Sequence, residues 1–353
     1  MSNILRKSLG KITFLIVCII VTIISLKFFR HQIDRQQADI NPPNMLRSID
    51  ELETSTFKNI FFIESSGIKS NASDTGELTT RQACSIESAA LMNSDCNICV
   101  IFVSRMELKL SEPILALVKY KNIKFYRLDL SDFSKHTIAE NWVTSGKLFN
   151  TSFLMNNVSN FLRLLLLWKY SGTYFDLDVI SQVSLESIRV KNFVCAETKH
   201  SDIPNVINNA IFHLESSDVA HKFTENLLTE FMNNYKGNIW GKNGPFLVTK
   251  VARSMCEFPE KTIEKSFNCS DITVLPQQNC YEIGYENKDY AVLFSIDIKI
   301  IRKTLERLKP SYFVHYFHHL TKEIPLKVDS NAAFIAIAKE FCPNVLNAST
   351  INF

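Results

Sequence analysis

The first long apolar run covers residues 12–26, where Thr13, Thr22 and Ser25 are the only polar side chains. Extended to Phe29 it is 18 residues long, with Lys27 near its end. A helix of that length rises about 27 Å, enough to span a bilayer if the Lys27 ammonium reaches the interface. Arg6, Lys7 and Lys11 precede it, which places the short tail 1–11 in the cytosol. A cleaved signal peptide is the competing reading, but the run ends in bulky residues 26–29 (LKFF) with no small-x-small site. A buried core helix fits neither the terminal position nor the lack of a polar face. The pattern predicts a single transmembrane signal anchor at 12–29 and a luminal remainder.

Residues 30–55 are polar, carry both charge signs and contain Pro42-Pro43, the pattern of a stem. Beyond them, apolar runs of strand length alternate with helical spacing. Residues 57–64 (FKNIFFIE), 97–104 (NICVIFVS) and 123–128 (IKFYRL) read as buried strands, and 79–92 (TTRQACSIESAALM) as a helix. Residues 158–170 (VSNFLRLLLLWKY) predict an amphipathic helix with a wide apolar face, stopped by Ser171-Gly172. Residues 173–179 (TYFDLDV) are strand-like. This alternation predicts an α/β fold whose sheet is parallel at least in its first half. No repeat and no linker stands out between 56 and 353, so that stretch reads as one luminal domain with a C-terminal appendage.

The chain has 353 residues, 46% of them hydrophobic and 21% charged, which suits a large core and excludes a disordered chain. Its net charge of +3 is misleading. Residues 1–30 hold five basic side chains and no acid, leaving 34 basic against 36 acidic beyond them. A nucleic-acid binder is basic in its folded part, so that class is disfavoured. Eight cysteines lie beyond Cys18 of the anchor, and an even number in an oxidising lumen predicts up to four disulfides, with Cys256–Cys269 a neighbouring pair. Cys96 and Cys99 have metal-knuckle spacing, but no second pair follows, so they read as disulfide partners rather than a zinc or redox site. Sequons at Asn71, Asn150, Asn157, Asn268 and Asn347 permit a luminal location.

The candidate chemistry lies at Asp176-Leu177-Asp178, set among Tyr174, Phe175, Val179 and Ile180. On a strand, carboxylates at i and i+2 point to one side. Like charges that close, beside apolar surface, need a cation or strong donors to stay ionised. A divalent metal that also binds a diphosphate supplies that charge. A bare D-x-D is common in solvated loops. Here a helix, a glycine break and an aromatic segment lead into it, and open α/β sheets bind ligands beyond the carboxyl ends of their strands.

Residues 163–180 (RLLLLWKYSGTYFDLDVI) resemble the R-x4-W-K-[FY]-G-G-x-Y-x-D-x-D segment of the α-1,4-glycosyltransferases, the family that includes lactosylceramide 4-α-galactosyltransferase and α-1,4-N-acetylglucosaminyltransferase. Residues 85–90 (SIESAA), 240–251 (WGKNGPFLVTKV), 312–315 (YFVH) and Cys342-Pro343 resemble the same family in the same order. The resemblance implies a GT-A-type nucleotide-sugar-binding sheet flanked by helices, a UDP-sugar donor, Mn²⁺, and retention of anomeric configuration. It places Asp176 toward the donor ribose and the metal, Asp178 and His315 on the metal, and Asn208 near the donor sugar. Arg163 steadies the donor site from the preceding helix, an ordinary ion pair being its plainer role. Asn160, where the family usually has Asp, meets uracil or ribose, and Gly244 opens a helix N-terminus toward the diphosphate or acceptor. His318 and His319 are weaker candidates. Ser171 and Asn209 replace family glycines, and Tyr316-Phe317-His318 replaces the family's Trp-Asn-Lys.

The function expected is transfer of galactose or an N-acetylhexosamine from a UDP-sugar, in α-1,4 linkage, to the terminal sugar of a glycosphingolipid. The location expected is the Golgi membrane, with type II orientation. UDP-galactose, UDP-N-acetylgalactosamine and UDP-N-acetylglucosamine all remain open as donors. So do glycoprotein glycans as acceptors, a homo-oligomer, and a luminal binder that no longer turns over. A hydrolase or phosphotransferase ranks low for want of a G-x-S-x-G elbow, a P-loop or an H-E-x-x-H.

Overall fold

The structure, a computed structural model, describes residues 45–52, 58–69, 75–200, 203–259 and 263–353. The expected tail and anchor at 1–29 lie outside these residues. Among the described residues no helix is long and apolar enough to cross a membrane.

The strands are β1 (Arg47–Ser48), β2 (Lys58–Glu64), β3 (Thr75–Gly76), β4 (Cys96–Val103), β5 (Glu107–Leu108), β6 (Ile123–Leu128), β7 (Gly172–Phe175), β8 (Val179–Ser181), β9 (Asn192–His200), β10 (Ile203–Leu214), β11 (Phe267–Cys269), β12 (Ile272–Leu275) and β13 (Phe313–His315). The helices that carry the architecture are α1 (Thr80–Met92), α2 (Leu154–Tyr170), α3 (Asp218–Asn233), α4 (Pro245–Met255), α5 (Ile298–Leu308), α6 (Ala333–Phe341) and α7 (Pro343–Ala348). Nine strands form one mixed sheet in the order β1-β6-β4-β2-β7-β10-β9-β12-β11. The run β1-β6-β4-β2-β7 is parallel, as expected, and β10 enters antiparallel to both β7 and β9.

Alternation along β4 explains its unbroken apolar run. Ile98, Val100 and Phe102 pack into a core with α1, α6 and α7, while Cys99, Ile101 and Val103 pack into a second core with α2, α3 and α4. A strand covered by helices on both faces has no polar side to show. The same alternation corrects the disulfide expectation. Cys96 and Cys99 are three residues apart on one strand, so their side chains enter opposite cores and both are free. The disulfides among the described residues are Cys84–Cys342, Cys195–Cys280 and the expected Cys256–Cys269.

Residues 45–52, within the stretch read as stem, belong to the fold: β1 pairs with β6, and Leu46 and Ile49 are buried. One sequon is closed by packing. Asn157 is buried, its amide donating to Thr151 Oγ1 and the Gly237 carbonyl, whereas Asn150, Asn268 and Asn347 are exposed.

Candidate active site

The strand expected at 173–179 is broken. β7 ends at Phe175, Asp176-Leu177-Asp178 form a turn, and β8 leaves the main sheet to pair antiparallel with β13. The turn closes with the Val179 N–H on the Asp176 carbonyl at 3.1 Å. Tyr316 pins it from the far side, its N–H on the Asp178 carbonyl at 3.0 Å and its hydroxyl on the Leu177 carbonyl at 2.9 Å. The carboxylates are thus brought together by a turn rather than by strand alternation.

The approach to the turn depends on Ser171 and Gly172. Ser171 takes φ 53° and Gly172 takes φ 103°. A Cβ on Gly172 would lie 2.6 Å from the Asn59 carbonyl oxygen, so the second position demands glycine, while serine tolerates the first.

Each aspartate has its own clamp. Asp176 receives the Arg163 guanidinium at 3.0 Å on Oδ1 and 3.3 Å on Oδ2, and the Tyr174 hydroxyl at 2.6 Å. Arg163 comes from the buried face of α2, also donates to the Asn209 carbonyl and to Ser159, and lies over the Tyr174 ring. Burial opposes its charge most, but Asp176, Tyr174 and Asp178 together outweigh it and its pKa is raised. Asp178 receives the His315 Nε2 at 3.1 Å and the His318 backbone N–H at 2.8 Å. Phe317, at φ 50°, turns the chain so that this N–H reaches the carboxylate. Burial works against the Asp178 charge, yet His315 and the backbone N–H overcome it and the pKa falls. His315 moves the other way, since Asp178 more than offsets the burial that disfavours imidazolium.

One ligand atom from each of Asp176, Asp178 and His315 can be chosen so that all lie within 4.8 Å of one another. His315 Nδ1 is buried with no hydrogen-bond partner among the described residues, a cost that coordination or a water would remove. Two carboxylates and an imidazole suit a divalent ion such as Mn²⁺.

These residues line a cavity of about 580 Å³, together with Asn160, Arg163, Asn208 and Asn209. A register shift in β10 places the asparagines there. Pairing with β9 jumps from Asn208 to Phe212, leaving Asn209, Ala210 and Ile211 without a β9 partner, and the Ala210 carbonyl accepts the Asp176 N–H. The Asn209 amide donates to Asn160 Oδ1 at 2.8 Å. Gly244 sits behind this pair: a Cβ on it would be 3.0 Å from Asn209 Nδ2 and 3.2 Å from Asn160 Nδ2. Gly244 does cap α4, but its first three positions offer no free donor. The Gly244 and Phe246 N–H groups both bond the Gly241 carbonyl, and Pro245 has none. His318 acts through its backbone, and the His319 ring packs beside Trp240 at the cavity rim.

Sequence reasoning missed Glu197 and Tyr285, which also line the cavity. Glu197 is 5% exposed, with Oε2 held by the Asn208 amide at 2.7 Å and Oε1 without a partner among the described residues. Burial raises its pKa. Its signal was a lone carboxylate ending the apolar run FVCAE, with nothing in the chain to say what it faces.

The chain carries two conserved regions. Residues 79–194 match the glycosyltransferase sugar-binding region containing the DXD motif, and residues 216–349 match the alpha 1,4-glycosyltransferase conserved region. The mouse lactosylceramide 4-alpha-galactosyltransferase is 27% identical over 295 residues, which is 82% of this chain and 76% of that one. The human alpha-1,4-N-acetylglucosaminyltransferase is 25% identical over 224 residues, 63% of this chain and 60% of that one. A galactosyltransferase solved with donor and acceptor sugar analogues aligns over 83% of this chain and 96% of its own, at 13% identity and a TM-score of 0.42. The two matched regions and the two curated relatives agree with the D-x-D turn and the cavity beside it, and they mark the chain as a hexosyltransferase that resembles the α-1,4-glycosyltransferases.

Proposed function

We propose that the protein transfers galactose or an N-acetylhexosamine from a UDP-sugar to the terminal sugar of a glycosphingolipid, with an α-1,4 linkage and retained configuration, on a GT-A-type sheet anchored in the Golgi membrane. The observation that carries this reading is the cluster of Asp176, Asp178 and His315 on the wall of a cavity large enough for a nucleotide sugar. The relatives' names fit it, and the apolar run at 12–29 fits a membrane location.

Asp176, Asp178 and His315 would hold Mn²⁺, which when bound supplies positive charge beside the departing diphosphate. The remaining roles belong to the chain. Arg163 fixes Asp176 in one rotamer and offsets its charge. The His318 N–H and the Tyr316 contacts hold Asp178 and its turn, so the carboxylate needs little rearrangement to act. Asn160 and Asn209 present amides to the uracil or ribose, and Asn208 lies near the donor sugar while orienting Glu197. The acceptor hydroxyl approaches from the face the phosphate leaves, and that phosphate oxygen takes the proton.

The test uses the full chain in detergent, the three UDP-sugars, and assays with and without Mn²⁺. Asp178→Asn is expected to lower Mn²⁺-dependent turnover about a hundredfold or more. Undiminished turnover in that variant removes the metal assignment, and an absence of UDP release from every donor by the wild type favours a binder over an enzyme.

A further inference from the structure

A second cavity, of about 480 Å³, adjoins the first and is unused by the donor reading. Glu197 and Tyr285 line both. The rest of its wall comes from the segment leading into α5. Within it, Asn287 and Lys288 both adopt left-handed backbone, at φ 51° and 59°. Arg307 of α5 holds this segment folded, bonding both Asp289 oxygens at 2.8 and 2.9 Å and Glu282 Oε1 at 3.0 Å. Asp289 in turn accepts the Gly284 N–H at 3.1 Å. Two consecutive left-handed residues, one of them lysine, are costly and persist only where surrounding bonds fix them. The cavity is therefore preformed.

Its chemistry is acidic. Glu197, Glu282, Glu286 and Asp289 contribute four carboxylates, against Lys288 and an Arg307 already engaged by two of them. Acids alone make no site. The decisive feature is Glu197, a 5% exposed carboxylate in the wall shared by the two cavities, whose Oε1 has no hydrogen-bond partner among the described residues. An oxygen in that state lacks a hydrogen bond that a substrate hydroxyl can supply.

We propose that this second cavity binds the terminal sugar of the acceptor, that Glu197 orients the attacking hydroxyl at the junction, and that the acidic wall selects neutral acceptors over anionic ones. The proposal rests on the transferase reading and adds where the acceptor sits and what charge it carries. Carboxylates accept hydrogen bonds from sugar hydroxyls, the Tyr285 ring offers a face for a pyranose, and the surplus negative charge repels a sialylated glycan. In the step so arranged, the hydroxyl oxygen bonds to the donor's anomeric carbon. The bond from that carbon to the phosphate oxygen breaks, its electron pair leaving with UDP, and the hydroxyl proton ends on that phosphate oxygen. Glu197 accepts the hydroxyl's hydrogen bond beforehand and is regenerated unchanged.

The experiment takes the full chain in detergent with the UDP-sugar it turns over best, an alkyl β-lactoside as neutral acceptor, and the sialylated lactoside as its anionic counterpart. The wild type is expected to favour the neutral acceptor about tenfold or more in kcat/KM. Glu286→Lys, at an exposed position, should raise the lactoside KM about fivefold and narrow that preference. Glu197→Gln should lower the kcat of transfer about tenfold or more. If Glu197→Gln does not fold, the Glu286→Lys result decides alone. Equal use of both acceptors by the wild type, or a lactoside KM unmoved by Glu286→Lys, overturns the assignment. UDP release by the wild type without acceptor separates the two failures: if release persists, only the acceptor site falls, and if it is absent, the transferase reading falls first.

Discussion

His213 of β10 is held at about 4 by burial, with a smaller push from Lys58. Its Nδ1 meets the Thr173 hydroxyl at 2.8 Å. Glu215 stands 3.9 Å from Nε2, a favourable charge, but it is partly exposed and screened, so burial dominates. The unfolded chain titrates this ring near 6.5, so between pH 6.5 and 4 the unfolded state binds a proton that the folded state refuses. Stability is therefore full above that window and falls through it, by about 3 kcal/mol at pH 4 from this residue. Urea unfolding at pH 7.5 and pH 4 is expected to show a smaller acid loss for His213→Gln than for the wild type; an equal loss would refute the assignment. At this scale the sequence exposed the acids and the late histidine, because their types are unusual among apolar neighbours. It did not expose Glu197, whose meaning depends on the Asn208 amide brought across from β10.

At the scale of elements, apolar runs reported β2, β4, β6, α1 and α2 to within a few residues, since each is covered on a face that leaves a periodic trace. The β8–β13 pair and the bulge in β10 left no such trace. They are short, and they are stabilised by partners far away in the chain rather than by local pattern. Gly244 tests how the start of α4 supports the cavity. Gly244→Ala places a methyl 3.0 to 3.2 Å from the Asn160 and Asn209 amides. The pair must shift a few tenths of an ångström. The expected outcome is a UDP-sugar KM raised about three- to tenfold. A KM equal to wild type would show that the asparagines do not touch the donor.

Across the whole molecule, the C-terminal helices are fastened to the first half of the fold. Cys84 of α1 is bonded to Cys342, between α6 and α7, across a separation of 258 residues. Glu87, one turn along α1, accepts the N–H groups of Asn344 and Val345 at the start of α7. Both cysteines are fully buried. Replacing the pair by Ala is expected to cost about 2–5 kcal/mol, read as a lower guanidinium midpoint under non-reducing conditions, and an unchanged midpoint would make the bond redundant. The sequence supplied the even cysteine count but not this pairing, because connectivity is decided by which face of each element meets which core.

The small β8–β13 ladder sets a timetable. His315 stands opposite Val179, so the imidazole reaches the aspartate turn only when a strand from near the end of the chain docks beside one from its middle. Asp176 takes its clamp from Arg163, 13 residues away in the chain, whereas Asp178 takes its clamp from the late strand and the turn after it. On the proposed metal reading, ion retention in a freshly made molecule would report the docking of this late strand as well as the chemistry of the site.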